Sequence, residues 1–221
     1  MRMHKKGHLE ERLLSCADIL TVCDLSDKNM KNAAALKDYF DFEQIFKNAN
    51  PVHLEIGCGK GKFICEKAAI QPDVNFVACE KVSNVIIDAC ERAKRGQLQN
   101  LHFLNSAAEV LERYFRNGTV EKIYLNFSNP LPKEGYKKQR LTHPKFLGIY
   151  RNILKDGGTV IQKTDDRDFY LFSLESYGAA GYKILETDEN YLAPADGDVE
   201  TEHEILFKER GKNIYRIIAG V

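Results

Sequence analysis

Several familiar signals are missing from this chain. No uncharged apolar run is long enough to span a bilayer, so no membrane partner is expected. The basic start, Met1-Arg2-Met3-His4-Lys5-Lys6, leads into Glu10, Glu11 and Arg12 where a secretory signal needs an apolar core. A cytoplasmic protein is the expectation. The six cysteines (Cys16, Cys23, Cys58, Cys65, Cys79, Cys90) contain no C-x-x-C pair, and no histidine cluster has metal-ligand spacing. Buried free thiols and no bound metal follow. Repeats, low-complexity tracts and Pro/Ser linkers are also absent, which predicts one domain over residues 1–221, with 1–50 as a basic, helical N-terminal extension. Net charge is zero, with 32 Lys+Arg against 32 Asp+Glu. That excludes a generally basic nucleic-acid coat but not a local patch, because phosphate contacts need only a few cations.

What is present is informative. The run Val52-His53-Leu54-Glu55-Ile56 ends in Gly57-Cys58-Gly59-Lys60-Gly61, and a helix-like segment follows. This reads as strand, tight turn and helix, the nucleotide-binding start of an open α/β sheet. Glycine suits a turn that takes positive φ and brings its backbone against a ligand. The dinucleotide fingerprint G-x-G-x-x-G fits poorly: Gly61 comes one residue early, and Lys62 stands where glycine is wanted. With Glu55 at the strand end, E-x-G-x-G-x-G fits S-adenosylmethionine (SAM) better. The glycines would give its amino-acid end close backbone contact, and a carboxylate would hold its ammonium. A Gly-rich turn with no ligand remains open for this segment alone.

The rest of the chain alternates strand and helix patterns. Strands are predicted at 52–56, 75–79, 101–104, 122–127, 159–163, 182–186 and 214–219. Helices are predicted at 33–46, 62–69, 83–95, 107–115, 143–154, 167–177 and 201–209. The residues 155–158, Lys-Asp-Gly-Gly, read as a helix stop and turn. This predicts an α/β, Rossmann-like, mostly parallel seven-stranded sheet whose final hairpin adds a C-terminal antiparallel strand. Ligands bind such sheets beyond the carboxyl ends of the strands. That rule selects residues 55–61, 80, 105–107, 126–133 and 164–167. Glu80 ends the second strand, where a carboxylate takes ribose hydroxyls; its other reading is a plain surface acid. Asn126-Phe127-Ser128-Asn129-Pro130-Leu131-Pro132 forms a stiff, exposed loop where a methyl acceptor would dock, or simply a turn. Lys133, Lys137, Lys138 and Arg140 follow it as a basic segment. Arg2, His4, Lys5 and Lys6 form a second cluster, and Arg92, Lys94 and Arg95 a third that suits a helix end. Each is a solvated face or an RNA contact. Thr201 and Glu204 share a helix face and equally make a capping box.

Taken together, these residues resemble the bacterial tRNA (guanine-N7)-methyltransferases. The resemblance runs from the basic leader through residues 55–61, Glu80, Tyr124-Leu125-Asn126-Phe127-Ser128 and Lys163-Thr164-Asp165 to residues 201–204 and Ile214-Tyr215-Arg216. It implies a class I SAM-dependent methyltransferase that methylates N7 of a guanosine in the tRNA variable loop. By position, Glu55, Gly57, Gly59, Glu80, Ala107 and Asn129 would hold SAM. Lys133, Asp165, Thr201 and Glu204 would contact the tRNA, with Arg167 in support. Asn129 stands at the family's catalytic aspartate, Asn129-Pro130-Leu131 replaces Asp-Pro-Trp, and Ala107 replaces an acid near the adenine. Three readings stay open: an active tRNA methyltransferase, a divergent paralogue that binds SAM and RNA with weak or no N7 transfer, and a nucleotide-dependent oxidoreductase. Monomer and homodimer are both open.

Overall fold

The computed structural model describes residues 6–23, 34–191 and 199–221. Eight strands form one sheet in the order β1-β4-β3-β2-β5-β6-β8-β7. They are β1 Leu20–Val22, β2 Val52–Ile56, β3 Asn75–Glu80, β4 Leu101–Asn105, β5 Val120–Asn126, β6 Leu154–Thr164, β7 Lys183–Asp188 and β8 Tyr215–Gly220. Strands β1 to β6 pair in parallel, and β8 lies antiparallel between β6 and β7. Every residue of β2 and β4 is buried, as expected of strands covered on both faces. The order turns from β3 to β5 across β2, so the crevice of this sheet opens where β2 and β5 end.

The described helices are α1 Leu9–Leu14, α2 Phe42–Phe46, α3 Lys62–Ile70, α4 Ser83–Arg95, α5 Leu111–Tyr114, α6 Pro144–Ile153, α7 Arg167–Ala179 and α8 Glu202–Glu209. One apolar cluster packs Leu54, Val77, Leu104, Ile123 and Val160 against Phe146, Tyr150 and Tyr177. The other packs Phe76, Ala78 and Phe103 against Ile64, Ile86 and Cys90. Alternate strand residues thus feed opposite faces of the sheet.

Four expectations are corrected. The sheet has eight strands rather than seven, because β1 adds a parallel edge to β4. Three residues are too few to carry a periodic signal. The helix expected over 33–46 is confined, among the described residues of its second half, to α2. Residues 36–41 instead run along α5, with Asp38 N donating to Arg113 O at 2.8 Å and Phe40 N to Tyr114 O at 2.9 Å. Phe40 sits among Tyr114, Phe115 and His102, and Asp41 restarts the chain as N-cap by accepting from Gln44 N. Third, a 3-10 turn at Ala108–Val110 precedes the short α5 where one helix was expected. Fourth, residues 155–158 are a bulge inside β6, with Gly157 at φ 74°, instead of a turn before it.

The six thiols are free and buried as expected. Burial pushes the Cys65 thiol up to about 12 and raises Cys58 and Cys79 as well, so these three, in and beside the glycine turn, sit as inert thiols. Arg2, His4 and Lys5 lie outside the described residues; Lys6 ion-pairs with Asp88 on α4. Lys94, in the last turn of α4, pairs with Asp18 at 2.8 Å, so that cluster does finish a helix. No described helix is long and apolar enough to cross a membrane, and no described His/Cys/Asp/Glu group has metal-site geometry.

Candidate active site

The glycine turn divides its labour. Gly57, Gly59 and Gly61 all have positive φ, at 81°, 57° and 75°. A β-carbon on Gly57 or Gly59 would meet nothing within 4 Å, so these two leave room for a ligand. One on Gly61 would stand 2.5 Å from Cβ of Ala89, so the third glycine lets α3 pack against α4. Gly57 N and Cys58 N both donate to Cys79 O, at 2.8 and 3.2 Å, which ties the turn to β3.

Beneath the turn lies Glu55, 2% exposed. Its Oε1 accepts from Asn126 Nδ2 at 2.9 Å across the β2–β5 crevice, while Oε2 has no hydrogen-bond partner among the described residues. Burial pushes this carboxyl up to about 7; the Asn126 bond opposes the rise, Glu80 adds to it and Lys163 opposes it. A buried carboxylate with a vacant oxygen under a glycine turn is suited to an ammonium group.

Glu80, at the end of β3, is held in place. Its Oε1 accepts from Val82 N at 2.9 Å and Oε2 from Gly59 N at 3.4 Å. Asn105 Nδ2 and Ser106 N donate to its carbonyl at 2.7 and 3.1 Å. Gly57, Glu80, Ala107 and Asn129 line one cavity of about 440 Å³, together with Lys81, Ser106, Glu109, Phe127 and Leu131. The volume, the open glycine faces and the carboxylate at the rim fit a nucleoside with an amino-acid tail. A larger cavity, about 710 Å³ around Asp18, Phe46, Lys94 and His102, lies beyond the other end of the strands, where a sheet of this topology offers no strand-end ligand groups.

The loop after β5 carries strain. Phe127 and Leu131 have φ of 49° and 46°, values that residues with a β-carbon seldom adopt. Asn129 Oδ1 accepts from Leu131 N at 3.1 Å, closing an Asx turn that commits its oxygen and leaves its amide nitrogen as the free end. Arg140 is not an outward cation, which corrects the basic segment. It is 5% exposed, donates to Leu131 O at 3.3 Å and lies 4.4 Å over the Phe172 ring. Lys133 and Lys138 are exposed, and Lys137 pairs with Glu134 at 2.7 Å.

The remaining expected residues stand apart from the cavity walls. Thr201 caps α8 in a full capping box with Glu204. Glu204 is 0% exposed, and both its oxygens lie 3.3 Å from Lys163 Nζ on β6. Asp165 pairs with Lys212 at 2.6 Å, and Arg167 opens α7 at the surface. Sequence reasoning passes over Lys163 as a strand residue, though a lysine in an apolar strand run is itself a signal of a buried partner. It also passes over Glu109, an acid two residues beyond Ala107 on the same wall, paired with Lys145 at 3.4 Å.

Residues 49–217 match the family model described as "Putative methyltransferase". A tRNA (guanine-N(7)-)-methyltransferase of Staphylococcus carnosus is 38% identical over 220 residues, covering 99% of each chain. One from Bacillus subtilis is 36% identical, covering 98% of this chain and 97% of its own. The chain belongs to the tRNA (guanine-N7)-methyltransferase family. Among solved structures, the 16S rRNA methyltransferase KamB superposes with a TM-score of 0.63 at 18% identity, covering 84% of this chain and 95% of its own. An antibiotic-related methyltransferase gives 0.60 at 17%, over 91% and 97%. At those identities the likeness shows the fold, a class I SAM-dependent methyltransferase sheet. Membership in the tRNA (guanine-N7)-methyltransferase family disposes of the oxidoreductase reading, which the glycine spacing already disfavoured.

Proposed function

We propose that this protein transfers a methyl group from SAM to N7 of a guanosine in the variable loop of tRNA. The similarity to tRNA (guanine-N(7)-)-methyltransferases across 99% of both chains carries this reading. When bound, SAM supplies an electrophilic methyl: the S–CH3 bond breaks, its electron pair stays on sulfur, and the N7 lone pair forms the new bond. No proton leaves the attacking atom, so the residues here have to bind, align and shield charge. Glu55 would take the SAM ammonium and Glu80 its ribose, with Gly57 and Gly59 giving close backbone approach and Ala107 bordering the adenine. Asn129 would lie at the methyl acceptor. Lys133 and Asp165 would meet the tRNA. Thr201 and Glu204 would present the start of α8 to it, with Glu204 acting through its bond to Thr201. We further read residues 1–221 as one cytoplasmic methyltransferase domain, acting as a monomer or homodimer.

The decisive experiment is incubation of the pure protein with unmodified tRNA and labelled SAM, followed by nucleoside analysis. N7-methylguanosine is the expected product; its absence would favour the divergent paralogue. Asn129→Asp extends the test. The exchange is nearly isosteric and keeps the oxygen that Leu131 N needs, so it replaces only the free amide end with charge. A charged acceptor in place of a neutral group is worth about 1–2 kcal/mol, so the rate should rise about tenfold. An unchanged rate in Asn129→Asp, with full activity in Asn129→Ala, would remove position 129 from the reaction.

The corrected basic segment makes a second expectation sharper. Lys133→Gln with Lys138→Gln should lower the slope of log affinity for tRNA against log salt by about two, roughly one for each phosphate that is no longer neutralised. SAM affinity should not move. An unchanged slope in filter-binding titrations would assign the RNA surface elsewhere.

A further inference from the structure

An aromatic stack adjoins the cavity through Phe127, apart from the residues expected to hold the cofactor. Phe127 leaves β5 with a left-handed backbone, and its N–H donates to Lys163 O at 2.8 Å, so the strained residue is pinned. Phe127 is among the residues that line the cavity. Behind it stands His203 of α8, ring centroids 5.6 Å apart and planes 18° from parallel. Phe207, one helical turn on, lies 5.6 Å from Phe127 and 5.8 Å from His203. His203 is exposed, so this stack reaches from the cavity wall to solvent.

We propose that Phe127, backed by His203, is the platform on which the target guanine lies during methyl transfer. The proposal rests on the tRNA reading above and assigns it a positioning surface. A base taken out of an RNA stack loses its neighbours, and proteins that receive such bases replace them with aromatic faces. The other rings and loop residues of the cavity are poor substitutes. Phe146 is 2% exposed, and Leu131 has no ring. Phe127 also holds a backbone conformation that phenylalanine seldom adopts, at the strand end that borders the cavity.

The chemistry of the step gives the platform more than a packing role. Transfer removes the positive charge from sulfur and leaves it on the purine, because N7 gives its lone pair and loses no proton. The face of a benzene ring attracts a cation. Phe127 should therefore hold the methylated base more tightly than the unmodified one, and hold the transition state more tightly than bound guanine. Such an interaction acts on kcat more than on the KM for tRNA. Asn129 brings no formal charge to this loop, so the ring face supplies attraction where a carboxylate is lacking.

The test compares Phe127→Leu with Phe127→Trp, both with a γ-carbon and so equally strained at φ 49°. Two quantities are read: steady-state methylation of unmodified tRNA, and calorimetric binding of 7-methylguanosine 5′-monophosphate against guanosine 5′-monophosphate with S-adenosylhomocysteine present. Wild type should prefer the methylated nucleotide. Phe127→Leu should lose that preference and about tenfold in kcat, with S-adenosylhomocysteine affinity within about twofold. Phe127→Trp should keep both preference and rate. Equal preference in wild type and Phe127→Leu overturns the proposal, as does a Phe127→Trp variant that fails like leucine. If wild type makes no N7-methylguanosine, the functional reading falls with it; if wild type methylates and Phe127→Leu matches it, the platform alone falls.

Discussion

Lys163→Ala should lower the melting temperature by roughly 6–20 °C. Lys163 and Glu204 are 2% and 0% exposed in their side chains, and Nζ stands 3.3 Å from each carboxylate oxygen. Removing the lysine strands Glu204 in the interior. Breaking a buried pair from one side costs about 3–5 kcal/mol, and a chain of this size shifts by about 2–4 °C per kcal/mol. The loss is local in origin. Glu204 accepts from Thr201 N at 2.9 Å, so α8 loses its anchor on β6 while its own capping box stays whole. Lys163→Met combined with Glu204→Gln should recover much of the stability, because no charge is then left alone and the cap acceptor survives. Circular dichroism melts of the single and double variants check this. A single variant melting within about 2 °C of wild type would show that water or neighbouring groups solvate Glu204 well enough without the lysine.

Glu55→Gln should separate stability from cofactor binding. The Glu55 carboxyl has its folded value raised to about 7 from 4.5, chiefly by burial. A carboxyl raised on folding binds more protons folded than unfolded between those values. Its stabilising contribution is therefore fully present below about pH 4.5 and is lost as pH rises through about 7. The ligand-free wild type should lose on the order of 1–3 kcal/mol from this source over that window. Glutamine keeps an acceptor for Asn126 and carries no charge, so the variant should match wild type near pH 5 and exceed it at pH 8. Cofactor affinity should move the other way. The SAM ammonium needs the ionised form, so wild-type affinity should rise with pH through about 7, while Glu55→Gln binds at least tenfold more weakly at pH 8 without that rise. Calorimetric titrations at pH 6 and 8 read both effects. A wild-type affinity flat across that range would place the ammonium elsewhere.

What the sequence revealed of this molecule follows how far apart the interacting residues are. The run from Val52 to Gly61 is a local signal, and strand, turn and helix formed where expected, with the third glycine under a helix instead of against a ligand. The position of Glu80 at the cavity was legible because strand ends in such sheets face the crevice. The Glu55–Asn126 bond was not, because it depends on β2 and β5 lying side by side, which strand patterns do not state. The Lys163–Glu204 pair joins residues 41 apart through the docking of α8. Arg140 read as one more surface cation; only its packing over Phe172 and its bond to Leu131 make it a loop support. Residues 36–41 carry helix-compatible composition, but Phe40 gains more among aromatic rings than in a helical turn.

The placement of β8 has a consequence for how the chain is made. Strands β6 and β7 are both synthesised before β8, yet β8 lies between them and supplies β7's pairing within the sheet. A nascent chain that has finished β7 therefore presents the outer edge of β6 as an unfilled row of backbone donors and acceptors, and α8, which neutralises Lys163, is also still to come. Synthesis runs at about 5–20 residues per second, so the stretch from the end of β7 to the end of β8 takes on the order of seconds to make. An open, apolar strand edge of that kind is the surface on which two unfinished chains join. Until β8 enters between β6 and β7 the sheet is long but not yet closed, and the β6 edge is its exposed seam.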